Sequence, residues 1–124
     1  QALKGEALTL YGEGTQTRSF CYVDDLVEGF LRLMEGDHTG PMNLGNPGEF
    51  TIRQLAELVR DRINPDLEFV FQPLPQDDPL QRQPVIALAQ QQLGWNPAVP
   101  LAAGLDRTIE DFRARLSTAE GVLV

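Results

Sequence analysis

The stretch that decides the fold is residues 8–25, LTLYGEGTQTRSFCYVDD. It begins as a predicted strand over residues 8–11, in which alternate leucines share one face. Gly12 and Gly14 then break the strand, as glycines do where the backbone needs positive φ or a close approach. After a polar run the chain returns to aromatic and β-branched residues, and Asp25 begins a predicted helix.

Two loops of the predicted fold each hold one arginine. The first, residues 15–18, lies between the strand and the helix, and such a loop can present the Arg18 guanidinium to an anion. The second, Gln72–Pro84, contains four prolines, two aspartates and Arg82. The prolines stiffen this loop and lower the entropy cost of holding the arginine in place. The alternatives are an ordinary turn with a solvated Arg18 and a solvated connector, and spacing alone does not exclude them.

The rest of the chain alternates helical and extended patterns. Helical spacing predicts four helices, over residues 25–35, 52–63, 84–92 and 101–116. Capping boxes are predicted at the first two of these helices, as the pairs Asp25/Glu28 and Thr51/Gln54. Extended patterns at 41–45 and 67–71 predict further strands. These elements predict a small α/β domain with about four helices and three or four short strands.

The apolar spacing also predicts which helix faces are buried. The first helix should bury Leu26, Phe30, Leu33 and Met34, and the second should bury Ile52, Leu55, Ala56, Val59 and Ile63. The arginines of the second helix, Arg53, Arg60 and Arg62, alternate with acidic residues and are assigned to a solvated face. Residues 117–124 continue no helical pattern and are expected to form a flexible C-terminal tail.

Composition limits the possible functions. With 124 residues, 42% of them hydrophobic, the chain can bury the core of one domain. A net charge of −8 with a single lysine argues against a nucleic-acid partner, and no apolar run is long enough to span a membrane. One cysteine, Cys21, and one histidine, His38, exclude an intrachain disulfide and a Cys/His zinc site. Cys21 suits a reducing, cytoplasmic location, and His38 is expected to be exposed in a polar turn.

Three strings carry a family resemblance: LTLYGEGTQTRSFCYVDDLVEGFLRLM, GPMNLGNPGEFTIRQLAELV and PLPQDDPLQRQP…LGWNP. They resemble the C-terminal part of UDP-glucuronate decarboxylases (UDP-xylose synthases), which belong to the extended short-chain dehydrogenase/reductase family of NAD-dependent epimerases and dehydratases. The resemblance runs from about Gln1 to about Leu116, so residues 1–116 are expected to form the substrate-binding domain. A start at Gln1 rather than Met is expected for a segment of a longer protein.

The resemblance implies six substrate-binding residues: Thr9, Leu10, Tyr11, Gln16, Arg18 and Arg82. The strand segment 9–11 would lie against the uracil, with its backbone reading the base edge and the ring of Tyr11 alongside the nucleotide. Arg18 resembles an arginine that contacts the diphosphate, and Arg82 resembles a second one near the diphosphate or the sugar. Gln16 would position the loop of Arg18. The chain departs from the family at Val85 and Gln90, where an acidic and a basic residue are common.

The chemistry of the family needs groups that this sequence does not contain. NAD oxidises and then reduces the sugar at C4, which requires a dinucleotide-binding turn and a Tyr-x-x-x-Lys pair. Gly12 and Gly14 are followed by Thr17 rather than a third glycine, and the single lysine, Lys4, precedes both tyrosines. We therefore assign no catalytic, cofactor-binding or metal-binding residue, and expect this chain alone to be inactive and to bind no NAD.

The partners follow from the same resemblance. The parent enzyme would bind NAD and a UDP-sugar, place an N-terminal Rossmann domain against this part of the chain, and form a homodimer. Two alternatives stay open at the level of sequence. One is the same part of a nucleotide-sugar 4-epimerase or 4,6-dehydratase, and the other is a free-standing nucleotide-binding or interaction module.

Overall fold

The computed structural model describes residues 1–122, and the side chains of residues 1–118. This part contains a single 3₁₀ turn at Ala2–Lys4, followed by four strands and four helices. The strands are β1 (Leu8–Tyr11), β2 (Thr17–Ser19), β3 (Glu49–Thr51) and β4 (Phe69–Gln72), and the helices are α1 (Val23–Glu35), α2 (Ile52–Ile63), α3 (Ala87–Leu93) and α4 (Leu101–Val122). The predicted fold class, α/β with about four helices and a few short strands, is confirmed.

The strands form two separate two-stranded sheets. β1 pairs in parallel with β4, from Leu8 opposite Phe69 to Tyr11 opposite Gln72, and β2 pairs antiparallel with β3. Because parallel strands end at the same edge of a sheet, the loops that follow β1 and β4 begin side by side. The Gly12 amide extends this pairing by donating to the Gln72 carbonyl over 2.8 Å. The loop that leads into β2, which carries Arg18, and the proline-rich loop that carries Arg82 are thus brought to one edge.

Two apolar clusters hold the chain together. The first joins Ala2, Leu8, Leu10 and Leu67 to the apolar face of α2, whose Ile52, Ala56, Val59 and Ile63 are partly buried against it. The second is built from Ile86, Ala89 and Trp95, with Met42, Leu44 and Leu93 packed around them. Gly29 of α1 approaches this second cluster so closely that an added Cβ would lie 3.2 Å from the Trp95 ring. The predicted apolar face of α2 is therefore confirmed as a packing face.

Asp25 does not cap α1, which is a correction to the sequence prediction. The helix begins two residues earlier, at Val23, and the capping position at Tyr22 forms no side-chain hydrogen bond. The buried Asp25 carboxylate instead accepts the backbone amides of Ala98 and Val99, over 3.0 and 2.9 Å, and its carbonyl accepts the Trp95 indole N–H. Asp25 thus holds the segment after α3 against α1. The Thr51/Gln54 capping box of α2 is confirmed in both directions.

Two predictions about residues 26–45 are wrong for this chain. Phe30 is 51% exposed and Met34 is 80% exposed, so half of the predicted buried face of α1 lies on the surface. Residues 41–45 form no strand, and no backbone hydrogen bond joins them to another strand within the part that the structure describes. A strand needs a neighbouring strand for its ladder, and none lies beside this segment in residues 1–122.

The last two helices differ from their predicted bounds. α3 begins at Ala87 rather than Pro84, and in the segment before it the Val85 carbonyl accepts a hydrogen bond from the Asn43 side-chain amide. α4 continues to Val122, past the predicted end at Leu116. Residues 123 and 124 of the predicted tail lie outside the described residues, and the flexibility of 117–124 stays a prediction.

The arginines of α2 are not simply solvated. The guanidinium of Arg60 lies 4.2 Å from the centre of the Phe69 ring, a distance at which a cation is attracted to the ring face. Arg62 forms an ion pair with Asp106 over 2.8 Å and so joins α2 to α4. Arg53 pairs with Glu57 within the helix and fits the predicted solvated face better. Arg60 and Arg62 therefore contribute to packing, and Arg53 lies at the margin of the same ring, 5.8 Å from its centre.

Three further observations concern His38, possible metal sites and membrane-spanning helices. His38 is half-buried rather than exposed, and its Nε2 has no hydrogen-bond partner among the described side chains. In residues 1–118 no three acidic, histidine or cysteine side chains cluster as metal ligands would. No helix in the described part combines the length and the apolar character needed to cross a membrane.

Candidate anion-binding site

The site begins at the carboxyl end of β1, where Gln16 fixes the loop that leads to Arg18. The Gln16 side chain is only 5% exposed, and its amide donates to the Tyr11 carbonyl over 3.0 Å. The backbone carbonyl of Gln16 accepts the backbone amide of Ile52 at the start of α2, also over 3.0 Å. Through its buried side chain and its main chain, Gln16 thus ties the strand end to the helix start and fixes the path of the loop between them.

Gly12 and Gly14 serve this loop by close packing. Both have positive φ, 63° and 75°, which other residues adopt only with strain. A Cβ at Gly14 would lie 3.0 Å from Leu10 Cδ2 and 3.1 Å from Arg53 Cβ, so the loop lies directly against its neighbours. A dinucleotide-binding turn needs an open glycine cradle that leads straight into a helix, whereas these glycines lead into strand β2. These residues therefore do not fit NAD.

Arg18 lies in the middle of β2, so its predicted position in a loop is wrong, and its side chain is held by two neighbours. Its Nη1 donates to the Thr17 carbonyl over 2.7 Å, and its Nη2 forms an ion pair with the Asp78 carboxylate. The side chains of Arg18 and Asp78 are only 20% and 27% exposed. The alternative that Arg18 is an ordinary solvated charge is thus wrong, because its guanidinium is partly buried and fixed in direction.

The proline-rich loop is anchored along β2 and β3. Four hydrogen bonds fasten it, from Thr17 N to the Leu80 carbonyl (2.9 Å), from Ser19 Oγ to the Arg82 carbonyl (3.3 Å), from Gln81 Nε2 to Glu49 (2.6 Å) and from Gln83 Nε2 to the Pro47 carbonyl (2.8 Å). A loop with this many attachments is not a free connector. Its backbone holds Arg82 beside Arg18.

The two arginines line one open cavity of about 530 Å³, together with Ser19, Gln81, Gln83 and Pro84. Arg18 and Arg82 are 64 residues apart in sequence, and the parallel pairing of β1 with β4 is what brings their loops together. Arg82 is exposed, and its guanidinium donates no hydrogen bond to the side chains or backbone that the structure describes. The cavity therefore holds the Arg18 guanidinium, which is fixed by its neighbours, and the Arg82 guanidinium, which can donate to a ligand. This arrangement suits an anion with several oxygen atoms.

The three predicted strand residues lie outside this cavity. Leu10 is fully buried, so its side chain belongs to the core. Thr9 exchanges two hydrogen bonds with the Gln1 side chain, through its hydroxyl (3.0 Å) and its amide (3.2 Å). Tyr11 is 49% exposed at the strand end and can present its ring to a planar ligand. The structure thus brings the arginines together and leaves Tyr11 at the adjacent edge, and the binding roles of these three residues stay predictions.

Asp78 and Glu49 are the functional candidates that the sequence reasoning missed. Asp78 neutralises Arg18, while Glu49 accepts from Thr17 Oγ1 and from Gln81 beside the same cavity. An anion that binds here must share Arg18 with Asp78. The sequence does place Asp78 only four residues before Arg82 in a proline-rich loop, which marks it as a neighbour of the predicted binding residue. No pattern in the sequence indicates that Asp78 would reach Arg18 on β2.

A second cavity, of about 620 Å³, lies between the start of α1 and α4, with Cys21, Tyr22, Arg107 and Asp111 in its wall. It contains none of the predicted binding residues. Burial raises the pKa of the Cys21 thiol above its ordinary value of 9.0, and the charge of Asp25 raises it further. The thiol is therefore protonated at neutral pH and is not a nucleophile. We assign the candidate site to the smaller cavity because the fixed and available arginines are there.

Comparison with solved structures defines the class of protein. Residues 1–45 match the model of the NAD dependent epimerase/dehydratase family. The fold superposes on UDP-glucose 4-epimerase of Thermotoga maritima, solved with UDP-glucose, with a TM-score of 0.88 and 34% identity over 93% of this chain and 37% of that one. UDP-glucuronic acid 4-epimerase of Bacillus cereus, solved with UDP-glucuronic acid and NAD, gives a TM-score of 0.78 and 28% identity over 86% and 35% of the two chains. The fold is that of one part of an extended short-chain dehydrogenase/reductase.

Sequence comparison is more specific. UDP-glucuronic acid decarboxylase 6 of Arabidopsis thaliana is 60% identical over 116 residues, which are 94% of this chain and 34% of that protein. The predicted resemblance to UDP-glucuronate decarboxylases, within the NAD-dependent epimerase and dehydratase enzymes, is thereby confirmed. The chain spans about a third of the length of the curated relatives that it matches.

Proposed function

We propose that this chain is the UDP-sugar-binding part of an NAD-dependent UDP-glucuronate decarboxylase that makes UDP-xylose. The observation that carries the proposal is the convergence of Arg18 and Arg82 on one cavity, in a chain that is 60% identical to a decarboxylase of this specificity. A diphosphate presents several anionic oxygens, and two forked guanidiniums can each give it paired charge-assisted hydrogen bonds.

Some of these residues bind the ligand through charge, and others position or stack against it. Arg82 meets the ligand first, because it is exposed, and Arg18 binds once its carboxylate partner Asp78 shares the charge. Tyr11 offers a half-exposed ring at the edge of the site, and stacking on a base is worth about 1–3 kcal/mol in other nucleotide-binding proteins. Gln16 keeps the strand end and the arginine loop in register. Thr9 and Leu10 contribute through the backbone of β1.

The remaining chemistry is assigned to the part of the enzyme outside this chain. NAD, when bound there, accepts a hydride from the sugar and returns it, and a Tyr-x-x-x-Lys pair handles the proton. Neither group has a place among the residues of this chain, so we propose that the chain alone releases no CO₂ and binds no NAD. We also propose that the parent enzyme is a cytoplasmic homodimer.

A chimera tests the function directly. This chain would replace the matching third of the Arabidopsis thaliana decarboxylase, and UDP-xylose and CO₂ would be measured from UDP-glucuronate. We expect product from the chimera and none from the isolated chain. Product from the isolated chain, in a preparation free of host enzyme, would contradict the proposal that the catalytic groups lie outside this chain. A folded chimera that binds no UDP would contradict the proposal that this chain binds the UDP-sugar.

A second candidate function, nucleotide-sugar 4-epimerase, is favoured by the structural similarity to the Thermotoga maritima enzyme. The substrates differ at the sugar, since UDP-glucuronate carries a carboxylate that UDP-glucose lacks. Competition of the two sugar nucleotides for the chimera separates the candidates. Preference for UDP-glucose would favour the epimerase, whereas tight UDP binding by the isolated chain, with no sugar preference, would favour a free-standing nucleotide-binding module.

A further inference from the structure

The residues that directly precede the two site arginines lie side by side. Thr17 and Gln81 form a parallel bridge, and the Thr17 amide donates to the Leu80 carbonyl over 2.9 Å. Bridged residues share a face of a sheet, whereas successive residues of one strand point to opposite faces. Arg18 and Arg82 are therefore the next pair along this register, on the opposite face, where both line the cavity.

This register places two like charges beside each other. Like charges in directly opposite strand positions repel and destabilise the pairing. Asp78 neutralises Arg18 and so relieves part of the repulsion, but Arg82 forms no ion pair with the side chains that the structure describes. A slip of one residue would turn the Arg82 side chain to the face away from the cavity. The site therefore needs a contact that holds the register against this repulsion.

Glu49 provides such a contact on the face opposite the arginines. It lies across from Ser19 in the pairing of β2 with β3, so its side chain shares a face with Thr17. Its Oε1 accepts from the Thr17 hydroxyl over 3.2 Å and from the Gln81 side-chain amide over 2.6 Å. Hydrogen bonds to a charged acceptor are stronger than those between neutral groups. One carboxylate oxygen thus joins both of the residues that precede the site arginines.

We infer that Glu49 is a positioning residue, which fixes the register of the proline-rich loop beside β2. It thereby keeps Arg18 and Arg82 on one face, where both can bind one diphosphate. Glu49 acts through its two hydrogen-bond donors, in contrast to Asp78, which pairs with Arg18 directly and competes with an anion. The inference rests on the proposed function for the identity of the ligand, whereas the register itself rests on these contacts.

Steady-state kinetics of the chimera described above test the inference. Glu49→Ala should raise KM for UDP-glucuronate about five- to tenfold and leave kcat unchanged, because it weakens binding without removing a catalytic group. Glu49→Gln should keep KM within about twofold of the original, because its amide oxygen can still accept both hydrogen bonds. A chimera that is merely destabilised would instead lose active protein, which lowers the apparent kcat at an unchanged KM. The matched control is Glu110→Ala, which removes one charge from the exposed surface of α4 and should change neither constant.

The coupling between the two arginines supplies a second measurement. In the original chimera, Arg18→Ala and Arg82→Ala together should raise Kd for UDP by less than the product of their separate effects, because both side chains bind one anion. In the Glu49→Ala background they should raise Kd by the full product, because the arginines no longer face the ligand together. Unchanged coupling would overturn the inference, as would an unchanged KM in Glu49→Ala or an equal rise of KM in Glu49→Gln.

Amide hydrogen exchange separates this inference from the proposed function, since it needs no ligand. The Thr17 amide, which donates to the Leu80 carbonyl, should exchange at least about tenfold faster in the Glu49→Ala chimera than in the original one, because the pairing opens more often. A chimera that binds no UDP would contradict the proposed function, and the exchange rate would still decide whether Glu49 holds the register. Equal exchange of the Thr17 amide in the two proteins would overturn the inference even where UDP binds.

Discussion

Replacing Asp78 with asparagine should strengthen anion binding at the two-arginine cavity. In the free protein the carboxylate of Asp78 neutralises Arg18, so an arriving diphosphate must compete with it. Asparagine is nearly isosteric and can still accept a hydrogen bond, so Asp78→Asn removes charge and leaves the loop in place. Arg18 keeps its direction because its Nη1 remains bonded to the Thr17 carbonyl at 2.7 Å.

The size of the effect follows from the difference between two hydrogen bonds. A bond between charged groups contributes about 1.5–3 kcal/mol, and a neutral one contributes about 0.5–1.5 kcal/mol. The pair is more than two-thirds buried, so solvent screening reduces this difference only in part. Asp78→Asn should therefore free about 1–1.5 kcal/mol for the ligand, which lowers Kd for UDP roughly five- to tenfold. The unliganded protein should lose stability by about the same amount.

Isothermal titration of the chimera with UDP measures the affinity, and urea unfolding without ligand measures the stability. The matched control is Asp77→Asn, which removes the neighbouring charge in the same loop, since Asp77 forms no ion pair within the described side chains. The gain from Asp78→Asn should shrink at 1 M salt, where charges are screened beyond about 3 Å. Weaker UDP binding by Asp78→Asn, with Asp77→Asn unchanged, would refute the competition and show that the Asp78 charge is required for binding.

The remaining predictions concern the arginines, the buried carboxylate and the thiol. Arg18→Ala and Arg82→Ala should each lower kcat/KM of the chimera about ten- to a hundredfold. The double substitution should lower kcat/KM by less than the sum of the two effects in free energy, because both side chains bind one anion. Arg113→Ala, on the surface of α4, is the control and should change kcat/KM little. Asp25→Ala removes the acceptor of two partly buried amides and should reduce the free energy of unfolding by about 1–3 kcal/mol in urea titrations. Because the pKa of Cys21 is raised, its thiol should be alkylated more slowly at pH 8 in the folded protein than in the unfolded one. The free energy of unfolding should fall as the pH rises from 9 through the raised pKa, because the unfolded thiol loses its proton first.

Local sequence signals predicted the parts of the fold that depend on local physics. The Thr51/Gln54 box defines the start of α2 because both of its hydrogen bonds lie within four residues. Gly94 ends α3 in the left-handed conformation that glycine favours. Asp25 shows the limit of such signals, since its spacing from Glu28 fits a capping box, yet its carboxylate binds amides more than 70 residues away.

The candidate site was only partly accessible from sequence. Arg18 and Arg82 could be singled out by loop position and resemblance, but their meeting depends on the parallel pairing of β1 and β4, which no local pattern specifies. The role of Arg60 was wrongly assigned for the same reason. Its charge pattern fits a solvated helix face, whereas the ring of Phe69 on β4 covers it. Arg60 is therefore unsuitable as a solvated control for the arginine substitutions.

The two errors between residues 26 and 45 have one physical origin. Periodicity reports which side chains avoid water in the complete protein, and it does not report which part of the protein covers them. The sequence predicted that Phe30 and Met34 are buried and that 41–45 is a strand, and in this chain both lack their partners. An apolar period on α1 thus identifies side chains suited to burial, and an alternating pattern at 41–45 identifies a segment suited to a strand, but burial and strand pairing each need a neighbour that a local pattern does not specify.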